Sequence, residues 1–208
     1  MLKKVLLGIS ILIGVSILIF IGWLILILSA FGGFDKDYSV SELKENFEEN
    51  KTEIYELKKY FNEIVPKNRI VEIEFKDNNT LGRFGIKALD SKSLIPNKTI
   101  FLDWNLKIST AKMDSIIKPI EWSRETLKKL KEKLDKVDCI QIESGEPTKI
   151  GFKRSGMGMY SFNVFSKPIQ DKLIEEYKDS CRYILVNKKF VLEYGSGALG
   201  SQCLYNFD

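Results

Sequence analysis

Residues 151–165, which read GFKRSGMGMYSFNVF, combine two adjacent cations with two closely spaced glycines. Lys153 and Arg154 could bind an anion, and Gly156 and Gly158 could bring backbone amides close to it. Phosphate-binding loops of this kind place their glycines between a strand and the start of a helix. Here the residues after Gly158 alternate as in a strand, so we predict a hairpin turn. The alternative is a site for a small anion or a lipid headgroup at Lys153 and Arg154.

Residue types suited to hydrolysis are present, but their spacing matches no catalytic motif. The chain has no histidine, which removes the usual general base and the commonest ligand of transition metals. Glu143 and Glu146 surround a Ser-Gly pair that is typical of a tight turn. The Ser-x-x-Lys spacing occurs without the companion motifs of serine–lysine enzymes, at Ser41 and Lys44, Ser109 and Lys112, and Ser115 and Lys118. We therefore predict no catalytic residue, no metal and no cofactor.

The three cysteines, Cys139, Cys181 and Cys203, form an odd set. Without a Cys-x-x-Cys pair, they do not indicate a catalytic thiol. We predict a disulfide between Cys181 and Cys203, because the glycine-rich segment before Cys203 can fold back along the last hairpin. Three buried free thiols, behaving as small apolar side chains, are the alternative.

The elements that must position these residues begin with a long apolar run. From Val5 to Phe34 the chain carries no ionisable side chain, and about 20 apolar residues are enough for a helix to cross a bilayer. The apolar region of a cleavable signal, the alternative, is usually only about 7 to 15 residues long. We therefore predict an uncleaved membrane anchor over residues 5–33, in contact with the lipid bilayer.

The charges around this run predict its orientation. Lys3, Lys4 and the amino terminus all lie in residues 1–4, and flanks rich in lysine stay in the cytoplasm. The domain beyond the anchor is then expected outside the cytoplasm. Without Lys3 and Lys4, the 32 Lys and Arg fall to 30 against 28 Asp and Glu. Because nucleic-acid binding requires a clustered basic surface, this balance predicts no nucleic acid partner.

Residues 34–66 have the periodicity of one juxtamembrane amphipathic helix. Ser39 precedes Glu42 at the spacing of a capping box, with Ser41 as a second candidate cap, and Pro66 ends the pattern. We predict that the apolar side of this helix packs on the sheet of its own domain. Alternatively, a homodimer or another protein could use these apolar positions, which are Leu43, Phe47, Ile54, Leu57 and Phe61.

Residues 67–208 alternate between strand and helix patterns. We predict strands at residues 70–75, 81–89, 99–108, 139–143, 149–154 and 159–165 and in a final hairpin at 181–195. We predict helices from Ser123 as the cap to Val137 and at residues 169–177. This order indicates the α+β class, with an N-terminal transmembrane helix followed by one mainly antiparallel sheet domain and two or three packed helices.

These features favour a binding protein over an enzyme. We expect a single-pass, membrane-anchored protein of the cell envelope that acts as a non-catalytic binding or assembly component. One alternative is an envelope hydrolase that uses carboxylate or Ser/Lys chemistry. Another is an immunity-type or inhibitor protein, which requires an exposed apolar patch or a flat sheet face for docking.

Overall fold

The computed structural model describes residues 2–30, 34–89, 96–156, 158–178, 181–195 and 203–204. Within these ranges, an N-terminal apolar helix is followed by a domain built on an eight-stranded antiparallel sheet. This arrangement confirms the predicted α+β class. Polar and apolar residues alternate along the strands, so the two faces of the sheet differ in chemistry.

Helix α1 (Leu2–Ala30) covers residues 5–30 of the predicted anchor, and residues 31–33 lie outside the described residues. Its segment from Leu12 to Ser29 has a mean hydropathy of 2.8, and no residue of that segment is buried by the protein. At about 1.5 Å of rise per residue, its 29 residues span about 44 Å. The helix is therefore long and apolar enough to cross a membrane, a property that signal sequences share.

The predicted helix over residues 34–66 is two helices, α2 (Val40–Glu49) and α3 (Lys51–Ile64). Asn50 separates them at φ −107° and ψ 17°, and its side-chain amide donates to the carbonyl oxygen of Asn46 at 2.9 Å. Asparagine competes for backbone hydrogen bonds in this way, which explains the break. Ser39 caps α2 in a capping box with Glu42, as the spacing predicts.

The apolar side of α2 and α3 lies inside the domain. The five side chains proposed above for a homodimer or protein partner are 0–1 % exposed, and they belong to the main hydrophobic core. Phe47, for example, stacks on Phe190 with ring centroids 3.4 Å apart. A second chain could reach these residues only by opening the core. The apolar side of α2 and α3 is therefore an internal packing surface.

The sheet joins two groups of strands, the first three and the last five in chain order. The strands are β1 (Arg69–Asp77), β2 (Thr80–Leu89), β3 (Pro96–Lys107), β4 (Gln141–Glu143), β5 (Thr148–Ser155), β6 (Gly158–Val164), β7 (Tyr183–Asn187) and β8 (Phe190–Gly195). Their spatial order is β3-β2-β1-β4-β5-β6-β8-β7, with every neighbouring pair antiparallel. The β1–β4 junction that unites the two groups pairs residues 72–74 with residues 141–143.

Three further helices complete the domain. Helix α4 (Ala111–Ile117), which we did not predict, continues into a 3₁₀ turn at Lys118–Ile120. Helix α5 (Arg124–Lys136) begins at the predicted cap, Ser123. The predicted helix at 169–177 is only the short helix α6 (Asp171–Ile174) and a 3₁₀ turn. Side chains of α2 to α5 and one face of the sheet form the main core.

Candidate functional site

The face of the sheet opposite the main core carries a band of charged and amide side chains across the strands. We call it the polar face, and its members are Glu72, Glu74, Arg83, Gln141, Lys149, Arg154, Asn163 and Glu193. Several of these side chains are buried, although ionised groups are rarely enclosed without partners. Their partners therefore decide whether the polar face is free to bind a ligand.

The carboxylates of strand β1 are paired with neighbouring strands. Glu74 accepts two hydrogen bonds of 2.6 Å each from the guanidinium group of Arg154. Glu72 lies 3.3 Å from Arg83 and accepts from the amide of Gln141 at 2.7 Å. Burial and the nearby Glu143 carboxylate raise the pKa of Glu72, against the opposing effect of Arg83. These contacts link β1 to its neighbours β2 and β4 and, across β4, to β5, and both oxygens of Glu74 are engaged.

Glu193 is the most enclosed carboxylate of the polar face, at 3 % exposure. It accepts hydrogen bonds of 2.9 Å from Lys149, Arg182 and Asn163. Burial alone would raise the pKa of Glu193, but these three donors outweigh burial and hold the pKa below its usual value. The ionised Glu193 side chain therefore links its strand to other parts of the sheet.

Residues 151–165, for which we predicted a hairpin turn with an anion site as the alternative, form most of the antiparallel pair β5–β6. Arg154 is engaged by Glu74, and Lys153 pairs with Asp138 at the end of α5. Gly156 adopts φ +57°, a conformation that glycine reaches without strain. Its backbone N–H donates to a carboxylate oxygen of Asp35 at 2.9 Å, and Gly158 starts β6. The turn thus binds a carboxylate, and that carboxylate belongs to the same chain.

The segment between α1 and α2 is fastened to this turn. Ser155 donates to the Asp37 carboxylate at 2.5 Å. The ring of Tyr38 meets the rings of Phe152 and Tyr160 edge-on, at centroid distances of 5.1 and 5.5 Å. We call this set of contacts the juxtamembrane clamp; its members are Asp35, Asp37, Tyr38, Phe152, Ser155, Gly156 and Tyr160. Ala30 and Asp35 are five positions apart, so Asp35, which binds the turn, lies within about 18 Å of the end of α1.

The carboxylates considered for hydrolysis are both engaged. Glu143 pairs with Lys87 at 3.2 Å. Glu146 accepts from the backbone N–H of Ser166 at 2.6 Å, from its hydroxyl at 2.7 Å and from Lys58 at 3.0 Å. Burial raises the pKa of Glu146, but these donors outweigh burial and lower it overall. An acid held ionised in this way is poorly suited to donating a proton at neutral pH.

Three of the six Ser-x-x-Lys residues are engaged elsewhere. The hydroxyl of Ser41 lies 2.9 Å from that of Ser39, and Ser115 donates to the carbonyl oxygen of Ala111. Lys112 binds Asp103 at 2.7 Å. No hydrogen bond joins a serine to the lysine three residues later among these described pairs, so the structure supplies no activated serine there.

Two cysteines are joined and the third is enclosed. A disulfide links Cys181 to Cys203, and the N–H of Leu204 donates to the Cys181 carbonyl oxygen at 2.7 Å. Cys139 is a buried free thiol, and burial raises its pKa. A thiol in that state is a structural residue rather than a nucleophile.

Strand β3 carries the largest exposed apolar side chains of the sheet. Ile100, Leu102 and Trp104 are 48, 37 and 53 % exposed. The guanidinium group of Arg83 lies 6.0 Å from the ring of Trp104, a distance suited to a cation–π contact. Because β3 ends the sheet, no strand of the described residues pairs with its outer edge.

Sequence reasoning missed the residues that complete these sites. Asp35 and Asp37 bind a turn about 120 residues away, and Lys58 and Ser166 meet at Glu146. Only the pairing of distant elements brings them together. Among the described residues, no group of three or more His, Cys, Asp or Glu side chains is placed to hold a metal ion. No protein-family model, curated protein or solved structure matches the chain.

Proposed function

We propose that the protein is a membrane-anchored, non-catalytic binding component of the cell envelope that docks another protein at strand β3. Helix α1 serves as the anchor, with residues 1–4 in the cytoplasm and the sheet domain outside it. The exposed stripe of Ile100, Leu102 and Trp104 supports this role. Apolar side chains on a sheet edge are a hazard for a protein without a partner, because they invite pairing with other chains.

The edge of β3 favours a particular kind of partner. Lys98 and Lys107 are exposed near its two ends, and Asn105 departs from strand geometry at φ +53°. Edge lysines and an irregular backbone discourage indiscriminate strand pairing. The complementary partner is an extended segment that presents apolar side chains to Leu102 and Trp104 and acidic side chains to the two lysines.

Co-purification from solubilised membranes tests the docking surface. We expect a partner protein to remain bound to the wild type and to be lost from Trp104→Ser, because that change removes the largest apolar contact of the stripe. Leu173→Ser is the control, since Leu173 is another exposed apolar residue, at 37 %, but lies on α6. Equal recovery of the same partner with both variants would place its binding site elsewhere.

A protease added outside intact cells tests the membrane arrangement. We expect the sheet domain to be digested from outside, with α1 remaining in the membrane. Soluble mature protein that begins after α1 would show cleavage of the anchor and remove the basis for an envelope-bound role. A domain protected until the cells are lysed would reverse the orientation.

A further inference from the structure

A second surface suited to ligand binding is a cavity of about 430 Å³ beside helix α3. Its lining includes one acid and three lysines. The residues that matter here are Lys58, Lys59, Asn62, Glu63, Ser166 and Lys189. This volume lies in the range of about 300 to 1,000 Å³ that is usual for small-molecule sites.

Lys58 gives this cavity a buried cation. The residue is 5 % exposed, and its ammonium group donates to Glu146 at 3.0 Å and to the carbonyl oxygen of Val164 at 2.5 Å. An ammonium group has three donors, so one N–H is left for a ligand. Burial lowers the pKa of Lys58, and Lys189 lowers it further by repulsion. An anion between the two lysines would relieve that repulsion.

Around the cavity, three lysines face two carboxylates, Glu63 and the Glu146 bound to Lys58, which leaves an excess of one positive charge. Lys59 is exposed, and its ammonium group lies 4.0 Å from the Glu63 carboxylate, a separation at the limit of an ion pair. Glu63 therefore neutralises Lys59 only weakly. Lys189 is exposed, and no carboxylate of the described residues forms an ion pair with it. Its neighbour Lys188 differs, because it binds Asp171 at 2.7 Å. Lys189 therefore contributes a positive charge that the described acids do not neutralise.

The cavity lies at the opposite end of the sheet from the juxtamembrane clamp. Strand β5 runs from Thr148, near Asn62, to Ser155 in the clamp. Its eight residues cover about 23 Å at about 3.3 Å per residue. The clamp is the end closest to α1 along the chain, so the cavity lies about 23 Å farther along β5 from the point at which the chain leaves α1. Headgroups of a bilayer around α1 are therefore poorly placed to enter it.

We propose that this cavity binds a phosphate group carried by a soluble molecule or polymer rather than by a lipid headgroup of the bilayer. The phosphate oxygens accept hydrogen bonds from the ammonium groups of Lys58, Lys59 and Lys189. A tetrahedral anion offers several oxygens in different directions, which suits cations that approach from α3 and from the β7–β8 turn. This inference is independent of the proposed docking at strand β3.

Nuclear magnetic resonance of the full chain in uncharged micelles tests the site. We expect inorganic phosphate to produce saturable shifts in the backbone amides of Asn62, Ser166 and Lys189. Sodium chloride at equal ionic strength should not produce saturable shifts, because charge screening changes the amide resonances of a charged surface gradually, without saturation. Acetate should bind at least about tenfold more weakly, because it offers fewer oxygens. Absence of saturation, or equal affinity for acetate, would overturn the phosphate assignment.

Two adjacent lysines provide matched variants. We expect Lys189→Ala to weaken phosphate binding by about two- to fivefold, the effect of one exposed ion pair. Lys188→Ala should leave it unchanged, because Lys188 is paired with Asp171. Equal losses in both variants would show a general charge effect and not a site. Neither lysine is buried, so both proteins are expected to fold.

Membrane discs separate the two sources of phosphate. In discs of phosphatidylcholine, glycerol phosphate should shift the same three amides as inorganic phosphate does. Discs containing phosphatidic acid, without added glycerol phosphate, should leave those amides unshifted, because the cavity lies about 23 Å along β5 from the clamp that adjoins α1. Shifts caused by phosphatidic acid alone would overturn the assignment to a soluble source.

Discussion

At the scale of single residues, Glu193 shows how a buried charge can hold strands together. Its three donors come from β5, β6 and the segment before β7. We expect Glu193→Gln to lower the free energy of unfolding by about 1 to 3 kcal/mol at neutral pH, because charge-assisted hydrogen bonds are lost. Urea unfolding of the full chain in micelles would measure this difference.

The pH dependence of this effect has a definite sign. The pKa of Glu193 is lower in the folded protein than in the unfolded chain, so its stabilisation is present above the unfolded pKa and is lost as pH falls through the folded pKa. The difference in the free energy of unfolding between wild type and Glu193→Gln should therefore disappear in acid. Glu48→Gln is the control, because Glu48 is 55 % exposed, and we expect no measurable change. A gap that persists in acid would contradict the role assigned to ionised Glu193.

Residue partners of this kind are beyond a reading of the sequence. Arg154 and Glu74 are 80 positions apart, and they meet because β4, which follows β1 only after β2, β3 and two helices, pairs with β1. Local alternation gives the face on which each side chain lies, but it does not give the order of the strands. The sequence therefore identified Lys153 and Arg154 as cations worth examining without showing which carboxylates would pair with them.

At the scale of elements, the cap of α2 offers a comparison between two serines. Ser39 accepts the Glu42 backbone N–H at 3.2 Å, whereas Ser41 lies within the helix. We expect Ser39→Ala to cost about 1 kcal/mol of stability, as N-cap removal usually does. Ser41→Ala should cost much less, because alanine is favoured inside a helix. Thermal unfolding compares the two, and an equal loss would contradict the assigned cap.

Regular periodicity predicted most elements, and the departures have local causes. Strands β1, β2 and β3 and helix α5 lie where alternation and an N-cap place them. Helix α4 has only seven residues, which is too short for helical periodicity to stand out. The break at Asn50 falls inside an otherwise continuous pattern, because one side chain that bonds the backbone is enough to interrupt it.

At the scale of the whole molecule, the juxtamembrane clamp joins the segment that follows the apolar helix α1 to the sheet. We expect Tyr38→Ala to loosen the segment around Lys36 and to speed its cleavage by trypsin by about tenfold, which corresponds to about 1.4 kcal/mol of local stability. Lys36 is 61 % exposed, so the hold on the backbone, rather than burial of the side chain, limits cleavage. The rate of appearance of the cleaved domain measures the effect.

Tyr177→Ala is the matched control for this measurement. Tyr177 is also half-buried and also contacts two aromatic rings, Phe165 at 5.6 Å and Tyr183 at 5.3 Å, in a different corner of the domain. Its removal should leave cleavage at Lys36 at the wild-type rate. Similar acceleration in both variants would mean that trypsin reports general loosening of the domain.

The bond between Asp35 and Gly156 also constrains how the protein is made. The two residues are 121 positions apart, so Asp35 leaves the ribosome long before its partner has been synthesised. At about 5 to 20 residues per second, the interval is about 6 to 24 seconds. The clamp between Asp35 and the β5–β6 turn therefore closes late in synthesis, only after the chain as far as Gly156 has emerged.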